Sequence, residues 1–121
     1  MSEIAYQTVK ITTAGGAGAA VGSESSIPIN GFLLDAYIDY DAAAPATTDV
    51  TIADPIFGNI IVVSNNATDK WVAPREQTTD SAGADTGMFD LVPLCSALTI
   101  SVAESDAITD CVTVTLRWLT P

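Results

Sequence analysis

The segment ALTISVAESDAITDCVTVTLRWL, Ala97–Leu119, decides the fold class of this chain. A two-residue period of apolar side chains places them on one face of an extended strand, toward a core. The turn-rich ESDAIT between the two halves predicts that they form a terminal hairpin. The inward positions are Leu98, Ile100 and Val102 in the first half and Val112, Val114, Leu116 and Trp118 in the second.

The same period recurs along most of the chain, where β-branched residues abound and long runs of helix formers are absent. We predict an all-β fold: one antiparallel β-sandwich domain over residues 1–121, with about eight strands and a jelly-roll or immunoglobulin-like topology. The other predicted strands are residues 4–12, 31–40, 48–54, 58–65, 69–74 and 88–94. In the second of these, Phe32, Leu34, Ala36, Ile38 and Tyr40 form the expected core face.

Three segments carry further expectations. Residues 13–26, rich in Gly, Ala and Ser, are predicted to be a mobile loop or an arm. Residues 75–87 are polar with two glycines and are predicted to be a long surface loop. GNIIVVSN, residues 58–65, is a continuous apolar run, which favours a covered strand buried on both faces.

Charge excludes several classes of partner. Fifteen acidic residues face four basic ones, for a net charge of −11. Nucleic acids and anionic membranes are not expected partners, because binding to them needs clustered Lys and Arg. The N-terminal segment has no secretory pattern and no apolar stretch approaches the length of a membrane span, so we expect synthesis in a cytoplasm.

The residue types present argue against catalysis. The chain has no histidine, which removes the usual general base near neutral pH and the His-dependent nucleophile systems. Cys95 and Cys111 do not make a disulfide framework, and we interpret both as small buried apolar residues. We therefore predict no enzymatic activity and no cofactor.

The acidic stretch DYDAAAPATTDVTI, Asp39–Ile52, is a weak candidate for a calcium site. Asp39, Asp41 and Asp49 supply hard oxygen ligands, but the spacing of an EF-hand is missing. We favour a strand, a corner at Pro45 and a second strand, with the three carboxylates as surface charge.

The tryptophans divide between core and surface. Trp118 shares the face of Val112 and Val114 and is expected in the core, whereas Trp71 adjoins a polar loop. We select Trp71, Arg75 and Tyr37 as candidates for an interface.

Three segments, taken in order, resemble small all-β head proteins of tailed bacteriophages. They are AYIDYDAAAPATTDVTI (residues 36–52), NNATDKWVAPRE (65–76) and SVAESDAITDCVTVTLRWL (101–119), about half of the chain. The resemblance implies a virion structural protein made in the host bacterial cytoplasm. It would be a capsid decoration (cement) protein, bound outside the shell of the major capsid protein as a homo-oligomer, with a trimer as our guess.

Two alternatives stay open at this stage. The first alternative is a head–tail joining or tail structural protein. The second is a carbohydrate-binding β-sandwich displayed on the virion. The last of these requires Trp71 or the tyrosines to lie exposed together.

Overall fold

The computed structural model describes residues 2–121, which form eleven strands and no helix. Within that range, therefore, no helix is long and apolar enough to span a membrane. The strands are β1 (Ile4–Ile11), β2 (Ala20–Pro28), β3 (Gly31–Tyr40), β4 (Asp49–Asp54), β5 (Gly58–Val63), β6 (Lys70–Val72), β7 (Glu76–Thr79), β8 (Asp85–Asp90), β9 (Val92–Leu94), β10 (Ala97–Ser105) and β11 (Val112–Leu119).

Two antiparallel sheets form a β-sandwich, as the alternation predicts. One sheet has the order β1-β11-β3-β6, with β9 also paired to β3, and the other has the order β2-β10-β4-β5. With β6 and β9 counted as one interrupted edge strand, the eight main strands are ordered 1-8-3-6 and 2-7-4-5. This is the strand order of a jelly roll, one of the two topologies that the sequence left open.

The core lies between the inner faces of the two sheets. Ile38 on β3, Val114 and Leu116 on β11, and Ile52 and Ile100 in the opposite sheet have no exposed surface. Trp118 is buried here too, as its position in the alternation predicts.

The predicted terminal hairpin is wrong. β10 pairs with β2 and β4, whereas β11 pairs with β1 and β3 in the other sheet. Both strands have an apolar face, which in β10 ends at the buried Ser105, and these two faces meet across the core instead of lying side by side. Periodicity reports which face is inward, and it is silent about which sheet a strand joins.

Two segments expected to be irregular contain strands. Residues 13–26 hold most of β2, whose main chain pairs with β10, and the turn is confined to the residues around Gly16–Gly18. The polar loop after residue 74 folds into the β7–β8 hairpin. In both cases main-chain pairing, not an apolar period, makes the strand, so the sequence pattern did not show it.

Two burial predictions also fail. β5 is the edge strand of its sheet, with Ile61 buried and Val62 59% exposed, so GNIIVVSN is not covered on both faces. In β3 the register with β11 shifts between Asp35 and Leu33, so Leu33 turns inward and Phe32 outward. This bulge breaks the strict alternation on which the predicted core face depended.

One edge strand of the larger sheet is interrupted. β6 and β9 both pair with the edge of β3 that β11 leaves free, β6 at Ala36–Ile38 and β9 at Gly31–Leu33. The chain between them leaves the sheet as the β7–β8 hairpin, which pairs only with itself. We call residues 76–90 the arm.

Candidate binding surfaces

The outer face of the larger sheet carries its side chains in rows across the strands. The cross-strand register brings together residues far apart in sequence, alternating with the buried residues of β11. Three rows follow from it: Tyr6–Arg117–Asp35, Thr8–Thr115–Tyr37–Trp71, and Lys10–Thr113–Asp39.

Two of the three interface candidates, Tyr37 and Trp71, lie together on this face. Their ring centroids are 4.8 Å apart with the planes inclined at 42°. The guanidinium carbon of Arg117 lies 4.9 Å from the centroid of the Trp71 ring, within cation–π range. Trp71 nevertheless stays 57% exposed.

Asp35 holds Arg117 in position. The Arg117 Nε donates to Asp35 Oδ1 at 2.7 Å and Nη2 to Oδ2 at 2.5 Å, a bidentate pair. The hydrogen bond to Asp35 raises the pKa of Arg117 above its already high ordinary value. We call Asp35, Tyr37, Trp71 and Arg117 the aromatic platform.

Carboxylates border the platform on the side away from Arg117. Loss of hydration, followed by the charge of Asp69, raises the pKa of Asp39 above its usual range. Loss of hydration also raises the pKa of the Tyr37 hydroxyl, with further contributions from Asp69 and Asp39. The Tyr37 and Trp71 rings thus lie between the Asp35–Arg117 ion pair and the two carboxylates Asp39 and Asp69.

The three calcium candidates do not converge. Asp41 Oδ1 accepts the Ala43 N–H at 2.9 Å, and Asp49 Oδ1 accepts the Asn65 N–H at 2.8 Å. Asp39 lies on the sheet face beside Asp69. Across residues 2–121, no three acidic or cysteine side chains are grouped as metal ligands.

Arg75, the third interface candidate, lies apart from the platform contacts. Its Nη1 donates to the Leu34 carbonyl at 3.0 Å, in the gap that the arm opens between β6 and β9. Arg75 therefore satisfies a main-chain acceptor where the edge strand is interrupted.

One end of the sandwich is apolar. In the larger sheet the starts of β1 and β3 lie there, beside the ends of β11 and β9. In the other sheet the end of β2, the start of β10 and the β4–β5 connection lie there, and the β2–β3 connection joins the two sheets. We call it the apolar end. Its exposed large apolar side chains are Ile4, Ile27, Phe32, Ile56 and Phe57.

The arm leaves the edge of β3 between β6 and β9, level with Leu34, and carries further exposed apolar side chains. Every residue from Thr79 to Asp90 is exposed, including Met88 at 69% and Phe89 at 64%. The tip is nonetheless ordered, since Asp80 Oδ1 accepts the main-chain N–H groups of Ala82 and Ala84.

The opposite end is acidic. Four connections between strands meet there. Main-chain N–H groups in and beside these connections donate to carboxylates; for example, the Tyr40 N–H donates to Asp69 Oδ1 at 2.8 Å. Among the described residues of this end, the exposed large apolar side chain is that of Val21. We call it the acidic end, and its acidic residues are Asp41, Asp49, Asp69, Glu104, Asp106 and Asp110.

The cysteines are free and differ in exposure. Cys111 is buried, as expected, and its sulfur lies 3.3 Å from the Ser105 hydroxyl. Cys95 is exposed at the apolar end, so the interpretation of both as buried residues is wrong for Cys95.

Comparison with known proteins gives a weak likeness to solved carbohydrate-binding modules. No protein-family model matches the chain, and no curated protein matches it. The C-terminal family 6 carbohydrate-binding module of the laminarinase LamC from Zobellia galactanivorans is 6% identical, with 98% of this chain and 100% of that chain covered and a TM-score of 0.36.

Two further solved structures are similar at the same level. A mutant of a family 29 carbohydrate-binding module is 10% identical, with 97% and 81% of the two chains covered and a TM-score of 0.36. A Podospora anserina mannanase with a family 35 module is 14% identical, with 98% and 24% covered and a TM-score of 0.34. Scores this low carry no argument about function.

Sequence reasoning missed several residues of these surfaces. Arg117 joins the platform only through the pairing of β11 with β3, and Asp69 borders it only because it accepts the Tyr40 N–H; no local pattern encodes either contact. Met88 and Phe89 were placed at the start of a strand, and the exposed Ile56–Phe57 turn carried no signal beyond its flanking Pro55 and Gly58.

Proposed function

We propose that this chain is a virion structural protein: a decoration protein that binds the outside of a shell of the major capsid protein after synthesis in the host bacterial cytoplasm. The observation that carries the proposal is the arm, a hairpin that leaves the edge of the larger sheet and carries exposed Met88 and Phe89. Exposed apolar side chains on a projecting hairpin suit docking onto another protein.

The contrast between the two ends supports the same proposal. Burial of apolar surface stabilises a contact, whereas burial of the carboxylates of the acidic end would cost hydration. Docking therefore occurs through the apolar end, with the acidic end pointing to solvent. A net charge of −11 then keeps the protein soluble, and it makes neighbouring copies repel one another wherever they are not in contact.

A jelly roll is compatible with this role, since the fold recurs in viral capsid domains and in lectins. Fold alone does not assign function. The proposal therefore rests on the arm, on the contrast between the two ends and on the resemblance of three segments to phage head proteins. A homotrimer is one closed symmetric oligomer, and it would match three-fold positions of the shell.

Copy number in purified virions tests the proposal. We expect quantitative gel analysis to give a number of copies comparable to that of the major capsid protein. A low, ring-sized number would instead assign the chain to the head–tail joint or the tail, and absence from particles would overturn the virion role altogether.

The alternative of a displayed carbohydrate-binding sandwich concerns a different surface. It is favoured by the exposed aromatic platform on the sheet face, between the two ends, and it is compatible with a chain docked through its apolar end.

A further inference from the structure

We infer that the aromatic platform is a binding site for a neutral saccharide, a function that goes beyond docking to a shell. The platform lies on the outer face of the larger sheet, and the Ile4–Leu119–Phe32 row of the apolar end borders it on that face. A shell bound at the connections of that end would leave the Tyr37–Trp71 row, two rows further along the strands, open to solvent.

The platform is organised before any ligand arrives. Trp71 is held by Tyr37 at 4.8 Å and by Arg117 at 4.9 Å, and Arg117 is itself held by two hydrogen bonds to Asp35. Side chains fixed in this way lose little conformational entropy when a ligand binds. More than half of Trp71 remains available for contact.

The chemistry around the ring suits a pyranose. A sugar ring presents apolar C–H groups on its faces and hydroxyl groups at its rim, and an exposed aromatic ring can stack on the former. Arg117 uses two N–H groups on Asp35, and a guanidinium has five, so donors remain for sugar oxygens. The Asp39 carboxylate and the Tyr37 hydroxyl supply acceptors on the other side.

The charge of the face selects among saccharides. Asp35, Asp39 and Asp69 outnumber Arg117 and Lys10 there, and Asp35 already neutralises Arg117. An acidic sugar such as a uronate would meet carboxylates without a free guanidinium charge to pair with. A neutral hexose or an N-acetylated hexosamine meets no such penalty.

Calorimetry on the purified chain tests this site, with maltohexaose, cellohexaose and chitohexaose as neutral probes and oligogalacturonate as the acidic one. We expect at least one neutral probe to bind and the acidic one not to bind. Trp71→Ala should weaken binding by about tenfold, the effect of a lost aromatic stack, whereas Trp71→Tyr should retain most of it. Phe57→Ala, which removes an exposed aromatic ring from the other sheet, should leave binding unchanged.

Three results would overturn the inference: no neutral probe binds, oligogalacturonate binds as tightly as the best neutral probe, or Trp71→Ala and Phe57→Ala weaken binding equally. Because the assay uses the chain without virions, its failure is separate from any failure of the decoration role. Tryptophan emission gives an independent readout, since Trp71 is exposed and Trp118 is buried.

Discussion

The apolar end and the acidic end are built from the same strands yet present opposite surfaces. At the apolar end Phe32, Ile56 and Phe57 are exposed, and the arm emerges from the β3 edge between β6 and β9, level with Leu34. At the acidic end the connections carry carboxylates that accept main-chain hydrogen bonds, as Asp41 and Asp49 do. The difference shows that the strands build the sandwich, while the residues at the strand ends and in the connections make one end apolar and the other acidic.

The largest expected effect comes from two glycines, one at each end. A Cβ at Gly31 would lie 1.9 Å from the Leu119 carbonyl oxygen, whereas a Cβ at Gly18, where φ is +75°, would meet nothing within 4 Å. We expect Gly31→Ala to cost about 3 kcal/mol or more, because backbone must move. Gly18→Ala should cost only about 1 kcal/mol of left-handed strain. Urea unfolding measures both, and equal losses would contradict the tight packing of the apolar end.

A second pair compares the carboxylates that hold turns. The buried Asp54 accepts the N–H groups of Ile56 and Phe57 at 2.9 and 2.8 Å, whereas the exposed Asp41 accepts one, from Ala43. Asp54→Ala should cost about 2–3 kcal/mol and Asp41→Ala about 0.5–1 kcal/mol, because unsatisfied donors are costlier when buried. Thermal melts of both variants check this, and a larger loss for Asp41→Ala would reverse the assignment.

A smaller effect concerns pH. The raised pKa of Asp39 means that the folded state favours the protonated carboxyl. The contribution of Asp39 to the free energy of unfolding is therefore complete below the pKa of the unfolded chain, near 3.9, and is lost as pH rises through the higher pKa of the folded protein. Asp39→Asn should therefore raise Tm by about 1–3 °C at pH 7. It should give no gain below about pH 3.5.

Glu24→Gln provides the matched control for that charge change. Glu24 is exposed on β2, in the other sheet, and its substitution also removes one negative charge. If Glu24→Gln raised Tm at pH 7 as much as Asp39→Asn, the gain would come from net charge and not from the neighbouring Asp69.

The smallest expected effect is that of calcium. Because Asp39, Asp41 and Asp49 do not converge, adding millimolar calcium should leave the Tm of the wild-type chain unchanged. Differential scanning calorimetry with calcium and with a chelator compares the two states. A clear rise in Tm that Asp41→Asn abolished would restore the calcium hypothesis for the acidic end.

Alternation predicted the all-β class, the sandwich and most of the inward positions on β10 and β11, because a two-residue period directly reports a half-buried strand. It did not predict that these strands lie in opposite sheets. Nor did it distinguish an edge from a central strand in β5, since both are rich in Ile and Val. β2 lacks an apolar period and was missed for that reason.

The candidate surfaces divide in the same way. Tyr37 and Trp71 were selected from residue type and position, but their contact depends on the pairing of β3 with β6. The Arg117–Asp35 pair joins residues 82 positions apart, which no local pattern encodes. The arm was hidden because a polar, glycine-containing segment is typical of both a loop and an exposed hairpin.

Binding of the purified chain to capsid shells prepared without it tests whether the apolar end and the arm dock onto the shell. Phe89→Asp places a carboxylate on the arm, and Val21→Asp places one at an exposed apolar position of the acidic end. We expect Phe89→Asp to weaken binding about thirtyfold or more, as loss of a hot spot does, while Val21→Asp binds like the wild type. Equal binding by the two variants, or a greater loss for Val21→Asp, would overturn docking through the apolar end and the arm.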